Sequence, residues 1–360
     1  MKRTDKDIKR ILKGRTVLVT GANGFVGSHL TDKLVEFGAD VHVLLRPSSS
    51  GVYHNLAHIQ KKITIHRADI ADKEAVRRVL MKIKKEGSSK PVIFHLAAQA
   101  HVGESWWRPY ETLSSNAIGT LNVLQTICDI KLKVRKISFA GSSEEYGNVD
   151  PHLKKLYRFD KSGGLILDEF TPLNPQSIYA TSKVAGDFLF RNYHRAYGIP
   201  TGVARKFNNY GPRQNPRFIT GVIITQALER KLIKLGYLGA KRDFTYVKDG
   251  VMGHIHVNLF GRPGEVYCFG SGKTIMMKDW LDLILKLGRE MGYWGEKKVV
   301  YEKWRGRLGR SEVEELRVDY SRLRRLTSWK PRYSWEEGLK ETIQWYAENR
   351  DDWIGKVDWR

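Results

Sequence analysis

Thr16-Val17-Leu18-Val19-Thr20-Gly21-Ala22-Asn23-Gly24-Phe25-Val26-Gly27 is the stretch that decides the fold. Thr16–Thr20 is short, β-branched and apolar, the pattern of a buried strand. From Phe25 to Phe37 the apolar residues Phe25, Val26, Leu30, Leu34 and Phe37 share one helical face. Three glycines at three-residue spacing, Gly21, Gly24 and Gly27, span the passage from the first pattern into the second. A turn there must be tight, let a pyrophosphate approach the backbone and bring the helix close to the strand, and glycine meets all three needs. The helix start then offers free N–H groups to the anion. Gly21, Asn23, Gly24, Phe25, Val26 and Gly27 are therefore expected to hold a dinucleotide.

Further strands are expected at Val41–Leu45, Ile63–His66, Val92–Leu96, Lys136–Ala140 and Thr201–Phe207. Helical patterns at Lys73–Lys85, Tyr110–Ile130 and Ser177–Tyr197 separate them, and Met277–Met291 and Trp335–Asn349 follow. This alternation predicts an α/β chain, a Rossmann-type doubly wound parallel sheet. The looser C-terminal pattern predicts a smaller interleaved substrate-binding domain. The expected division is 1–206 for the dinucleotide domain, with a returning segment about 245–270, and 207–244 plus 271–360 for the cap.

Composition sets outer bounds. The chain has 360 residues, 41% of them hydrophobic, enough for a large core. No apolar run reaches the length of a membrane span. Met1–Arg15 carries seven basic and two acidic residues and lacks a signal's apolar block, so a cytoplasmic protein is expected. Cys128 and Cys268 suggest neither a disulfide framework nor a zinc site, and no metal is expected. The formal charge of +23 raises nucleic acid as a partner, but the basic residues are spread along the chain without an RNA-binding aromatic signature. A solvated basic surface on an enzyme of diphosphate ligands is the favoured reading.

The end of the second strand, Leu45-Arg46-Pro47-Ser48, lacks the carboxylate that would bond a ribose 2′-hydroxyl. Arg46 and the hydroxyls beside it favour NADP over NAD, or Arg46 stacks on the adenine. Asp69, with Ile70 next to it, stands where a carboxylate meets the adenine amine, or is an exposed loop acid. Tyr179 and Lys183, four apart, share a helix face, and an ammonium there favours phenolate, a usable base. Ser142, Ser143 and Glu144 follow a strand at the sheet end where ligands react. Glu144 would remove a proton from carbon beside a new ketone, or is a capping acid.

Together the glycine loop, Ser142 and the Tyr179/Lys183 pair resemble the extended short-chain dehydrogenase/reductase family, over about Thr16 to Tyr346. Leu96-Ala97-Ala98-Gln99-Ala100-His101-Val102, Asn116 with Gly119-Thr120, and Ala240-Lys241-Arg242-Asp243 resemble its GDP-mannose 4,6-dehydratase branch. Asn208-Asn209-Tyr210-Gly211-Pro212-Arg213-Gln214 and the tail from Arg305-Gly306-Arg307 are similar to related dehydratases and epimerases.

The resemblance implies a nucleotide-sugar 4,6-dehydratase with a tightly bound, recycled NADP or NAD. Tyr179 would take the 4-hydroxyl proton, Lys183 would tune it and hold the nicotinamide ribose, and Ser142 would replace the usual threonine. Glu144, preceded by Ser143, would take the carbon-5 proton. Leu96, Ala97, Ala98, Gln99 and Asn116 would line the cofactor. His101, Ser142, Asn208, Arg242 and Arg307 would meet the substrate. A homodimer or homotetramer is implied, through the helices near Tyr110–Ile130 and Ser177–Tyr197. Two departures bear on the substrate: Gly141 stands where serine is frequent, and Asp150–Gly164 is longer than usual. A 4-epimerase or a UDP-glucuronate decarboxylase is the alternative, and a non-catalytic RNA-binding or scaffold member a distant one.

Overall fold

The computed structural model describes residues 3–47, 53–88, 90–302, 308–309, 311–354 and 357. Seven strands, β1 (Thr16–Thr20), β2 (Asp40–Leu45), β3 (Ile63–Arg67), β4 (Val92–His95), β5 (Lys136–Ser142), β6 (Thr201–Lys206) and β7 (Glu265–Phe269), form one parallel sheet. Their order is β7-β6-β5-β4-β1-β2-β3. The order reverses between β1 and β4, and in such sheets ligands bind beyond the carboxyl ends of the strands at that reversal. β1 and β5 are buried along their whole length, as a sheet covered on both faces requires.

Ahead of the sheet, α1 (Asp5–Leu12) starts at a Thr4/Asp7 capping box and buries Ile8 and Leu12. α2 (Phe25–Glu36) follows the glycine loop. α3 (Lys73–Glu86), α4 (Gly119–Asp129) and α5 (Ile178–Tyr197) cover one face, where Val76, Leu80, Val123, Leu124 and Phe190 pack on Leu18, Ile93 and Val203. α5 is bounded at Ser177, which caps Ala180 N–H, and at Gly198, whose φ of +66° ends the helix.

α6 (Ile219–Glu229), α7 (Val247–Phe260), α8 (Met277–Glu290) and α9 (Trp335–Glu348) are the long helices of the later chain. α7 packs with α2 on the other sheet face, and α6, α8 and α9 gather around Trp280. Trp280 stacks on Phe244 at 4.2 Å, meets Tyr210 edge-on, and donates its indole N–H to Thr220. Among the described residues no helix is long and apolar enough to cross a membrane.

The expected helix Tyr110–Ile130 is present, with one π turn inside it. A short helix Pro109–Leu113 passes through a π turn, Ser114–Ile118, into α4. Asn116 sits in that turn, and Gly119 follows it so close to Ile70 that a Cβ would lie 2.7 Å from its Cγ1. α6 and α7 are helices that the sequence pattern does not announce. α7 is buried on nearly every side, so it shows no one-sided stripe, and α6 is rich in β-branched residues. The 150–164 segment forms a 3₁₀ turn and then, by pairing Arg158–Phe159 with Leu165–Ile166, a short hairpin. Asp160 ties it to Arg317 at 2.6 Å, and Arg158 bridges Asp168 and Asp319.

Candidate active site

The glycine loop has the shape a pyrophosphate requires. Gly21 adopts φ +72°, and a Cβ on it would lie 2.8 Å from the backbone of Ala97. A Cβ on Gly27 would come within 2.2 Å of the Gly21 carbonyl oxygen, so α2 lies against the turn only with glycine there. Gly24 caps α2 without any side-chain acceptor, leaving the first N–H groups available to an anion. The Asn23 carbonyl accepts from Asn55, while Asn23 Oδ1 is buried without a partner. A narrow glycine cradle, uncapped N–H groups and an orphaned buried oxygen fit a dinucleotide.

The wall opposite is the loop after β4. Thr20 Oγ accepts from Leu96 and Ala97 N–H, both at 3.1 Å. Asn116 clamps Gln99 from both sides, accepting from its N–H at 2.7 Å and donating to its carbonyl at 3.0 Å, and also donates to Ser182. The amide of Asn116 thus positions the Leu96–Gln99 wall, with Ala98 inside it, while Gln99 Oε1 is buried without a partner. Asp69 forms a turn through Ala71 N–H, with Ile70 buried beside it, and Arg46 is exposed. Ser48 lies outside the described residues.

The chemical groups meet where β5, β6 and α5 end or begin. Ser142 closes β5, and its hydroxyl caps the 3₁₀ turn Ser143–Glu145 by accepting from Glu144 N–H at 3.2 Å. Tyr179, in the first turn of α5, hydrogen-bonds Ser142. Ser142, Ser143, Glu144, Tyr179 and Lys183 are all buried. Lys183 donates to the Ala140 carbonyl at 2.9 Å and stands behind the Tyr179 ring.

The electrostatics differ from the expectation of a depressed phenol pKa. Burial pushes Tyr179 well above the ordinary tyrosine value, the bond to Ser142 opposes this, and the carboxylates of Glu144 and Glu145 add to it. Lys183 is itself brought down to about 7, first by burial and then by the Lys206 ammonium. Desolvation thus outweighs the ammonium effect argued from the four-residue spacing.

Behind the turn lies a buried charge network that the motifs do not reveal. Glu145 accepts from Ser142 N–H at 2.7 Å and meets Arg205 Nε at 3.2 Å. Arg205 also pairs with Asp187, one turn after Lys183 on α5, at 2.8 Å. Its traces in the sequence are a second carboxylate after Glu144, a carboxylate four residues after Lys183, and charges inside an apolar strand at 205 and 206. The network also explains Gly141: a Cβ there would meet Glu145 Oε1 at 2.9 Å and Arg205 Cγ at 3.1 Å.

The residues assigned to substrate are less uniform. Asn208 follows β6 and its Oδ1 is buried without a partner. Arg242 is buried and paired with Glu312 at 2.6 Å, so a phosphate there would share it with a carboxylate. His101 caps the helix Val102–Trp107 through Glu104 N–H, with its ring against Phe218. Arg307 lies outside the described residues.

Residues 18–342 match the sequence model of the family described as GDP-mannose 4,6 dehydratase. A Methanocaldococcus jannaschii protein, provisionally named a UDP-glucose 4-epimerase, is 32% identical over 92% of this chain and 99% of its own. The dTDP-glucose 4,6-dehydratase of Streptomyces antibioticus is 30% identical over 94% of each chain. Among solved structures, the dTDP-glucose 4,6-dehydratase of Streptomyces venezuelae with NAD bound superposes with a TM-score of 0.80 at 27% identity, covering 95% of this chain and 100% of its own. Glycine cradle, strand-end serine and Tyr/Lys pair agree with that kinship, and the chain belongs to the GDP-mannose 4,6-dehydratase family of nicotinamide-dependent nucleotide-sugar enzymes.

Proposed function

We propose that this enzyme is a nucleotide-sugar 4,6-dehydratase, turning an NDP-hexose into an NDP-4-keto-6-deoxyhexose by oxidation at C4, loss of water across C5–C6 and reduction at C6. Glu144 is the observation that carries the reading. It is a buried carboxylate on the same turn as Ser142, close enough to Tyr179 to act on its ionisation. Oxidation and re-reduction at C4 alone need no such group, whereas water loss needs a base at C5.

A bound nicotinamide dinucleotide supplies hydride removal from C4 and its return to C6. Gly21 to Gly27, Asp69, Ile70 and Leu96–Gln99 would hold it. The strand end Leu45-Arg46-Pro47 carries no acid and favours NADP. The Streptomyces venezuelae dehydratase holds NAD, and reconstitution of stripped enzyme with each dinucleotide decides between them.

Tyr179 takes the O4 proton. Its bond to Ser142 favours the phenolate it must become, and Lys183 stands behind the ring. Glu144 then takes the C5 proton and later returns it. Ser143 shapes the turn, and Asn208, Arg242, Arg307 and His101 would contact the nucleotide sugar. Trp107, Tyr110, Phe188 and Tyr197 are exposed on neighbouring helices, an apolar patch suited to a homodimer.

The test is mass spectrometry of products from GDP-mannose, dTDP-glucose, UDP-N-acetylglucosamine, GDP-linked N-acetylglucosamine and UDP-glucuronate. Loss of one water without cofactor consumption is the expected result. An isomer of unchanged mass, the outcome favoured by the archaeal relative's name, or loss of carbon dioxide moves the enzyme to the epimerase or decarboxylase reaction.

A further inference from the structure

Lys206 closes β6 at the carboxyl end of the sheet, in register with Ser142 on β5 and Phe269 on β7. Its neighbour Arg205 is held on one side of the sheet by Glu145 and Asp187. Strand alternation sends Lys206 to the other side, toward His254 of α7. Lys206 is half-buried, and among the described residues its ammonium makes no hydrogen bond or ion pair. The charged groups that act with it are Glu144, which attracts it, and Lys183, which it repels. Partial burial brings its pKa down to about 8, with the Glu144 carboxylate opposing.

Water loss across C5–C6 needs two groups of opposite function at adjacent carbons. Glu144 is the base at C5, so it starts without a proton. Ser142 is engaged with Tyr179 and with Glu144 N–H, and a serine hydroxyl such as Ser143 is too weak an acid to donate to a leaving hydroxide. On the reading of this enzyme as a dehydratase, we infer that Lys206 is the general acid that protonates the departing 6-hydroxyl.

The step balances. The C5–H bond breaks and its proton goes to Glu144, the electron pair forms the C5=C6 bond, the C6–O bond breaks, and the Lys206 proton leaves with that oxygen as water. Tyr179 has meanwhile gained the O4 proton, which equals the one Lys206 lent. Passing it on restores both groups, while Glu144 returns its proton to C5.

The experiment uses Lys206→Met and Lys206→Arg, with whichever of GDP-mannose and dTDP-glucose the wild type dehydrates faster and its 6-deoxy-6-fluoro counterpart. Fluoride leaves without a full proton, and arginine keeps the cation but does not release a proton. Both variants are expected to lose water elimination by about 100-fold or more, to keep deuterium exchange at C5, and to expel fluoride within a few-fold of the wild-type rate. Wild-type water loss should also decline as pH rises past about 8, a limb that fluoride loss lacks.

Thermal melting confirms that each variant is folded, and the arginine variant carries the test if the methionine variant is not. Loss of C5 exchange and fluoride release together would overturn the inference, because Lys206 would then serve to hold Glu144. Normal water loss by Lys206→Arg would overturn it as well. A water-losing wild type with unimpaired variants sinks the acid alone, whereas a wild type that turns over sugar without losing water sinks the dehydratase reading and the acid with it.

Discussion

Ser142 N–H donates to Glu145 Oε1 at 2.7 Å, so the serine that closes β5 is fixed by the side chain on the far side of its own turn. Glu145 is fully buried, and its pKa is raised to about 8, first by desolvation and then by the Asp187 carboxylate, with Arg205 and Lys183 opposing. An unfolded glutamate titrates near roughly 4.3. Between those values the folded chain binds the proton more tightly than the unfolded chain, so this group's contribution makes stability fall as pH rises. Glu145→Gln keeps an acceptor for Ser142 N–H and removes the titration. Its melting temperature relative to wild type should therefore climb between pH 5.5 and 8.5. A constant difference across that range would count against the buried-acid assignment.

Tyr179→Phe keeps the ring and removes the hydroxyl proposed as the base. Turnover should fall by about 100- to 10,000-fold with dinucleotide binding intact. Stopped-flow absorbance of the reduced nicotinamide is the check, and near-normal hydride removal would take Tyr179 out of its role.

Glu144→Gln should separate the two halves of the reaction. The variant should form reduced cofactor and 4-ketosugar in single turnover yet fail to lose water or exchange deuterium at C5. Water loss at the wild-type rate would remove the main support for dehydration over epimerisation.

Much of this site is legible in the sequence, because its parts are local. The glycine spacing of the cradle at Gly21–Gly27 lies within seven residues, although Ala97 of a distant loop presses on Gly21, and Tyr179 and Lys183 lie one helical turn apart. Arg205, Asp187 and Glu145 come from three elements, and only the pairing of β5 with β6 and the packing of α5 bring them together. The direction of the Tyr179 shift is hidden for a related reason. A four-residue spacing reveals the ammonium but not the desolvation that opposes it. In the fold, α7 is hard to read because a helix buried on nearly every side leaves no stripe to detect.

Gly27→Ala should damage the cofactor site from beneath. The new methyl would lie 2.2 Å from the Gly21 carbonyl, so helix and loop must part. A destabilisation of about 1–3 kcal/mol is expected from such overpacking, together with weaker dinucleotide binding in a fluorescence titration. Unchanged affinity would mean the pyrophosphate lies elsewhere.

The apolar patch gives a size prediction. Tyr110 is 87% exposed and Phe188 44% exposed on adjoining helices. Tyr110→Glu combined with Phe188→Glu should give a monomer by light scattering, against a dimer for the unaltered chain. An unaltered chain that is already monomeric would remove the interface.

The π turn at Ser114–Ile118 has a bearing on how such a site could arise. Relative to an uninterrupted α-helix it contains one extra residue, so a single-codon insertion would generate it without disturbing the flanking turns. That extra residue lets Asn116 face Gln99 and Ser182 while Thr120 and Val123 keep their places against the sheet. In genetic terms, the clamp on the cofactor wall is reachable in one mutational event, and excision of one codon from this stretch is the matching route to losing it.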